Sequence, residues 1–170
     1  GSILNGTEHH SPTFEHEYVQ RQASLMGVNA ASLWLSDLTV MLDVLQALPE
    51  VNPDKLGVAG CSGGWTQTAY ISAMDPRVAA SSIACYESTL MVDYAPSPGG
   101  GGGPAEGEQQ WGPYVGGGSI LLDKPDLLVA RAPRPTQVLL TTEDQYFRLI
   151  GGEAAVAEAN PAFEALGEFL

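Results

Sequence analysis

The sequence predicts an α/β fold, a short parallel sheet of about three strands flanked by helices. Three stretches carry that expectation. The apolar run Leu56–Ala59 meets Gly60-Cys61-Ser62-Gly63-Gly64, and a helical segment follows at once to Met74. A second run, Val78–Ala84, is built of small and apolar residues, as suits a buried strand with helices on both faces. The third, Thr136–Thr142, reads TQVLLTT and runs straight into Glu143 and Asp144. Strand, helix and strand within residues 56–84 make a βαβ unit, whose two strands run parallel. By size the whole chain, 1–170, is one domain.

Taken in order, residues 1–17 mix Gly, Asn, Ser and Pro without a sustained period and read as irregular. Glu17–Met26 places Tyr18, Val19, Ala23, Leu25 and Met26 at helical spacings, and Gly27 stops it. Ala31–Leu48 is the strongest helix. Trp34, Leu38, Met41, Leu42, Leu45 and Leu48 recur at three- and four-residue steps, which lines them along one face, and Pro49 ends the pattern. Asp37 and Asp43 within it suit solvated or capping positions. Glu50–Lys55 turns the chain into the first strand, and Asp75-Pro76-Arg77 breaks it before the second. Residues 86–124 hold Pro96, Pro98, Gly99–Gly103 and Gly116–Gly118, too long a stretch for an ordinary connection. They read either as an excursion facing a substrate or as a Gly-rich insert without fixed structure. Pro125–Ala130 is a short helix, and Ala154–Leu166 is a last one interrupted at Asn160-Pro161.

Composition narrows function by exclusion. A net charge of −13, from 20 acidic against 7 basic residues, disfavours nucleic acid and anionic membranes as partners, since both need clustered Lys and Arg. No apolar run reaches the ~18 residues that span a bilayer. The opening segment shows neither a basic n-region nor an apolar h-region, which leaves a cytoplasmic and a mature secreted chain both open. The CxxC and HExxH spacings are missing, and His9, His10 and His16 sit in a polar stretch, so neither a metal nor a cofactor is expected. Cys61 and Cys85 would lie near the ends of neighbouring strands, within reach of a bridge; two buried thiols are the expectation.

Gly60-Cys61-Ser62-Gly63-Gly64 is G-x-S-x-G in the setting the pattern requires, between a strand and a helix. The serine must sit at the tip of a strained turn for its hydroxyl to project freely. The glycines two before and two after it are expected to pass close to each other, where a Cβ would collide. The helix starting at Gly63 or Gly64 points its free N–H groups and positive end at the place where an oxyanion would form. Ser62 is therefore the candidate nucleophile and the Gly63 N–H the candidate oxyanion donor. An ordinary Gly-rich turn can carry the same string, and a phosphate loop would need a Lys that is missing here. Asp144 stands at the carboxyl end of the third strand, where sheets of this class place functional groups. A capping role fits that position equally well.

Val58–Gly64, Asp75–Ala80, Cys85-Tyr86, Asp126-Leu127-Leu128, Ala132–Pro135 and Thr141–Phe147 together resemble the α/β-hydrolase superfamily, in its acetylxylan-esterase and dienelactone-hydrolase-like branch. The likeness begins near residue 15, with Glu15-His16-Glu17-Tyr18. It implies a serine-dependent hydrolase of small or carbohydrate-linked esters. Ser62 matches the nucleophile and Gly63 the oxyanion donor; Asp144, with Glu143 as second choice, matches the acid that orients a histidine. Such hydrolases place that histidine after one further strand, and here none follows His16; their earlier strands also lack a counterpart. The resemblance thus implies a partial α/β-hydrolase fold, its central to C-terminal part. The base would come from His9, His10, His16 or another chain, and the open sheet edges favour a homo-oligomer or the remainder of a larger hydrolase. An inactive remnant acting as a binding or self-assembly module is the alternative. An anion-binding domain using the helix N-terminus is a weaker third, with the charge of −13 against it.

Overall fold

A computed structural model of the chain describes Val19, Gln22, Ala23 and residues 25–94, 122–144 and 147–170. Its three apolar runs form one parallel sheet, β1 (Leu56–Cys61), β2 (Val78–Ala84) and β3 (Thr136–Leu139), in the order β1-β2-β3. Gly60 lies opposite Ile83 and Ile83 opposite Val138; one residue on, Cys61 lies opposite Ala84 and Ala84 opposite Leu139. Because side chains alternate along a strand, Gly60, Ile83 and Val138 share one face, and Ala59, Cys61, Ser82, Gln137 and Leu139 share the other. The sheet is flanked by helices as expected, and they stand on the first of these faces. The second is open among the described residues: Ala59, Gln137 and Leu139 are exposed. The covering of both faces expected for β2 is therefore not seen there. β3 also ends earlier than expected, at Leu139 rather than Thr142. Its neighbour leaves the ladder at Cys85, which turns to φ 53 while its N–H donates to the Leu139 carbonyl at 3.0 Å as a last rung.

Beside the sheet stand the α-helices α1 (Ala30–Ala47), α2 (Gly63–Met74), α3 (Leu90–Tyr94), α4 (Lys124–Val129) and α5 (Leu149–Ala165), with a single 3-10 turn at Pro53–Lys55 leading into β1. Before them, Val19, Gln22, Ala23 and Leu25 are helical, and the chain turns at Gly27 with φ 70, as its glycine allows. The Asn29 side chain accepts the Ala31 N–H at 2.8 Å and starts α1. Only part of the anticipated apolar face turns inward. Leu38 and Leu42 join Leu35 against Leu56, Ile71 and Val78, whereas Met41, Leu45 and Leu48 are exposed. The reason is that Leu35, Leu38 and Leu42 are the side that meets Ile71 of α2 and the start of β1 and β2, while the other side of the helix meets no described element that would cover it.

α2 is held at both ends. At its carboxyl end the fully buried Arg131 donates to the Ser72 carbonyl at 2.8 Å, the Pro135 carbonyl at 2.9 Å and Thr136 Oγ1 at 2.8 Å. Arg134 adds a bond to the Asp75 carbonyl at 3.0 Å. These cations satisfy orphan carbonyls and oppose the negative end of the helix. Burial pushes Arg131 down to about 10, which leaves it charged at neutral pH. Arg77 grips Asp75 at 2.6 Å and Asp43 of α1 at 2.5 Å, so Asp43, on the solvated face as expected, is also an ion-pair residue.

α5 corrects a second expectation. It starts at Leu149, takes in Gly151-Gly152 and runs through Pro161 without interruption. A Cβ on Gly151 would meet the Ser88 side chain, and one on Gly152 the Leu140 side chain, so these glycines permit close packing rather than end the helix. Ala159 and Phe163, buried on either side of Pro161, hold the helix together where the proline lacks its N–H. The core lies between these helices and the covered face: Trp65, Ala69, Ile83, Tyr86, Leu128 and Ala159. No helix among the described residues is long and apolar enough to cross a membrane.

Candidate active site at the carboxyl edge of the sheet

Ser62 occupies the single residue between the end of β1 and the start of α2. Its backbone is at φ 56 and ψ −125, a conformation that a residue with a Cβ adopts only under constraint. It is exposed, and its side chain makes no capping bond to the helix, so the hydroxyl is not spent on the turn. Its carbonyl does the local work, accepting the Trp65 N–H at 2.8 Å and the Thr66 N–H at 3.2 Å. Gly63 is the first residue of α2, where N–H groups have no intrahelical acceptor. The elbow is thus formed as its spacing predicts.

One detail differs. A Cβ on Gly60 would overlap the Gly64 carbonyl and come within 2.7 Å of Thr68 Oγ1, but a Cβ on Gly64 would meet nothing within 4 Å. Only the glycine before the serine is required by close approach. The two cysteines depart from expectation more plainly. Cys61 and Cys85 are not buried thiols but a disulfide, with Cα atoms 5.3 Å apart, and Cys61 is exposed. Because β1 and β2 are neighbours in register, the bridge spans the carboxyl edge of the sheet directly beside Ser62.

Asp144 follows β3 at the same edge, half-buried. Two strand spacings, about 10 Å across the sheet, separate its strand from that of Ser62. Its carboxylate accepts the Phe147 N–H at 2.9 Å and the Thr141 hydroxyl at 3.1 Å, which also makes it the organiser of its own turn. Glu143 is exposed. The histidines weighed as bases, His9, His10 and His16, lie outside the described residues, as do residues 95–121 of the Gly-rich excursion.

Beneath the elbow lies a buried polar cluster that the sequence reading missed. Trp65, three residues after Ser62, donates its indole N–H to Glu87 Oε2 at 3.0 Å. Glu87 is 2% exposed, and its Oε1 has no hydrogen-bond partner among the described residues. Beside it opens a cavity of ≈ 10 Å³ lined by Tyr86, Glu87, Thr141, Phe147 and Arg148, about the room one water needs. Burial pushes the Glu87 carboxyl up to about 8, against the opposing pull of Lys124 and of the indole. Lys124, also buried, reaches Asp93 Oδ2 at 2.6 Å and lies 4.0 Å from the centre of the Tyr86 ring. Burial lowers its pKa, and Asp93 opposes that. Tyr86 in turn stacks on Trp65 at 4.7 Å and meets Phe147 at 4.2 Å. Glu87 could have been found by the rule that singles out Asp144, since it follows the end of β2 by three residues.

No protein-family model matches the chain, and no curated protein matches it. Solved structures do. A glucuronoyl esterase from Solibacter usitatus superposes with TM-score 0.63 at 19% identity, over 82% of this chain and 38% of its own. A CE15 glucuronoyl esterase from Teredinibacter turnerae T7901 gives 0.60 at 23% identity, over 84% and 36%. A promiscuous CE15 esterase from the marine bacterial metagenome gives 0.62 at 17% identity, over 95% and 43%. The chain therefore spans well under half of each of these proteins. At such identities the likeness is one of fold, and the three parallel strands with their flanking helices match a partial α/β-hydrolase fold.

Proposed function

We propose that this chain carries the nucleophile of a serine-dependent carboxylic-ester hydrolase acting on small or carbohydrate-linked esters. The observation that supports it most is Ser62, exposed in a left-handed conformation at the positive end of α2 with its hydroxyl outside the capping scheme. In this reading Ser62 Oγ attacks the ester carbonyl as a base takes its proton. The Gly63 N–H stabilises the oxyanion, the alcohol leaves, and water then releases the acid from the acyl-serine. Asp144 orients the base, a histidine that must come within about 2.6–3.2 Å of Ser62 Oγ. His9, His10, His16, a histidine of another chain or one in the remainder of a larger hydrolase supplies it. Acetylated carbohydrates follow from the sequence likeness, and glucuronoyl esters from the names of the structural neighbours.

The test is labelling with a fluorophosphonate, beside hydrolysis of a short-chain nitrophenyl ester. Stoichiometric labelling is expected, lost in Ser62→Ala together with at least roughly a thousandfold of the hydrolysis rate. A folded protein that is never labelled would instead support a binding or self-assembly module. Apolar residues exposed on α1 favour that second reading, among them Val40 at 57% and Met41 at 59%.

A further inference from the structure

The elbow is braced on two sides. On the helix side, Gly60 fits against the Gly64 carbonyl so closely that no side chain could intervene. On the sheet side, the Cys61–Cys85 bond ties the residue before Ser62 to the residue after β2. Ser62 at φ 56 and Cys85 at φ 53 are the two non-glycine residues with left-handed backbone among those described, and each is covalently attached to one end of the bridge or is itself one end. Such conformations persist only where the surroundings over-determine them. Among the described residues the Ser62 side chain makes no capping bond to the helix, so the turn is held from the strand side by the β1–β2 ladder, which ends at Cys61 and Ala84, and by the bond through Cys61.

We propose that the Cys61–Cys85 disulfide is a positioning clamp on Ser62, and that its reduction loosens the elbow and slows acylation of Ser62 while the sheet stays folded. The inference rests on the esterase reading for its acylation half only. A dithiol is the reductant. It delivers two electrons and two protons to the sulfur–sulfur bond, which becomes the Cys61 and Cys85 thiols, and leaves as its own cyclic disulfide. Cys61 is exposed on the face of the sheet that is open among the described residues, which presents its sulfur to an attacking thiolate. A bond that merely stabilised the βαβ unit would change melting temperature without changing the reactivity of molecules that remain folded.

The experiment compares oxidised protein with protein reduced by dithiothreitol under native conditions, the freed thiols being counted. The fluorophosphonate labelling rate of Ser62 is expected to fall roughly ten- to a hundredfold, as for a displaced reacting group, and to return on reoxidation. Cys85→Ala should label at the reduced rate and ignore the reductant. Complete reduction with a labelling rate within about twofold of the oxidised protein would overturn the clamp. Hydrogen exchange supplies an arm that needs no reactivity. Amides of residues 60–66 should exchange faster on reduction, while those of β2 and β3 hold. Unchanged exchange at the elbow overturns the clamp even if Ser62 never labels, and an unlabelled oxidised protein overturns only the esterase reading.

Discussion

At Glu87 a single carboxyl group is buried with one oxygen bonded to the Trp65 indole and the other without a partner among the described residues. Burial raises its pKa from 4.5 to about 8, so the folded protein keeps a proton that the unfolded chain has already released. The sign follows from proton counting. Between about pH 4.5 and 8 the native state binds more protons, so stability falls as pH rises, by at most about 1.4 kcal/mol per pH unit. The contribution is fully present below pH 4.5 and lost as pH passes about 8. Asp93 and Asp123 push in the same direction as burial, and Lys124 opposes it. Glu87→Gln keeps an acceptor for the indole and removes the titration. Urea unfolding of the variant should therefore gain on the wild type by on the order of 3 kcal/mol between pH 5 and 8; parallel curves would mean that Glu87 is ionised throughout. Ser62 and Gly63 were legible from spacing alone, because a nucleophile elbow is a local pattern. Glu87 was legible only as an acid soon after a strand end; its raised pKa and the role of Lys124 were not, because both come from burial, and burial joins residues as distant in sequence as Trp65 and Lys124.

Among the elements, α2 links the stability of the fold to the site. Arg131 and Arg134 fix its far end, and the Gly60–Gly64 contact fixes its near end against β1. The two glycines of the motif consequently differ in what they tolerate. Gly60→Ala drives a methyl into backbone, which cannot swing away as a side chain can, and should cost about 2–3 kcal/mol or more. Gly64→Ala points its methyl into open space within a helix and should be neutral or stabilising by about 0.5 kcal/mol. Denaturant midpoints of the two variants check this, and equal losses would show that Gly64 is constrained after all. The strands and the helices α1, α2 and α4 were readable within a residue or two, since hydrophobic period and Pro or Gly breaks agree there. The end of β3 and the course of α5 were not. β3 stops where its neighbour Cys85 turns away, and α5 crosses Pro161 on buried Ala159 and Phe163, both of them decisions of tertiary contact.

For the whole molecule, the sheet is what remains incompletely covered. β1 and β3 each have one edge without a strand partner among the described residues, and the face carrying Ala59, Gln137 and Leu139 is open. The outer side of α1 adds Val40 and Val44, each 57% exposed and four residues apart, hence neighbours on the same helical face. Unpaired edges and adjoining apolar surface favour association, and the second copy of this chain is the partner always at hand. Sedimentation velocity should accordingly show a weight-average coefficient that rises with concentration. The double variant Val40→Glu, Val44→Lys places a favourable i,i+4 ion pair on α1, so the helix itself is not weakened. Its dissociation constant is expected to be at least about tenfold weaker than that of the wild type. If the double variant associates as before while Leu139→Lys does not, the contact runs through the open sheet face instead of α1. If the wild type stays monomeric at every concentration, self-association is overturned and the edges need another explanation. Labelling of Ser62 followed across the same concentrations then tells whether a second chain supplies the base: a rate that climbs with the dimer fraction requires a contribution in trans, and a constant rate excludes one.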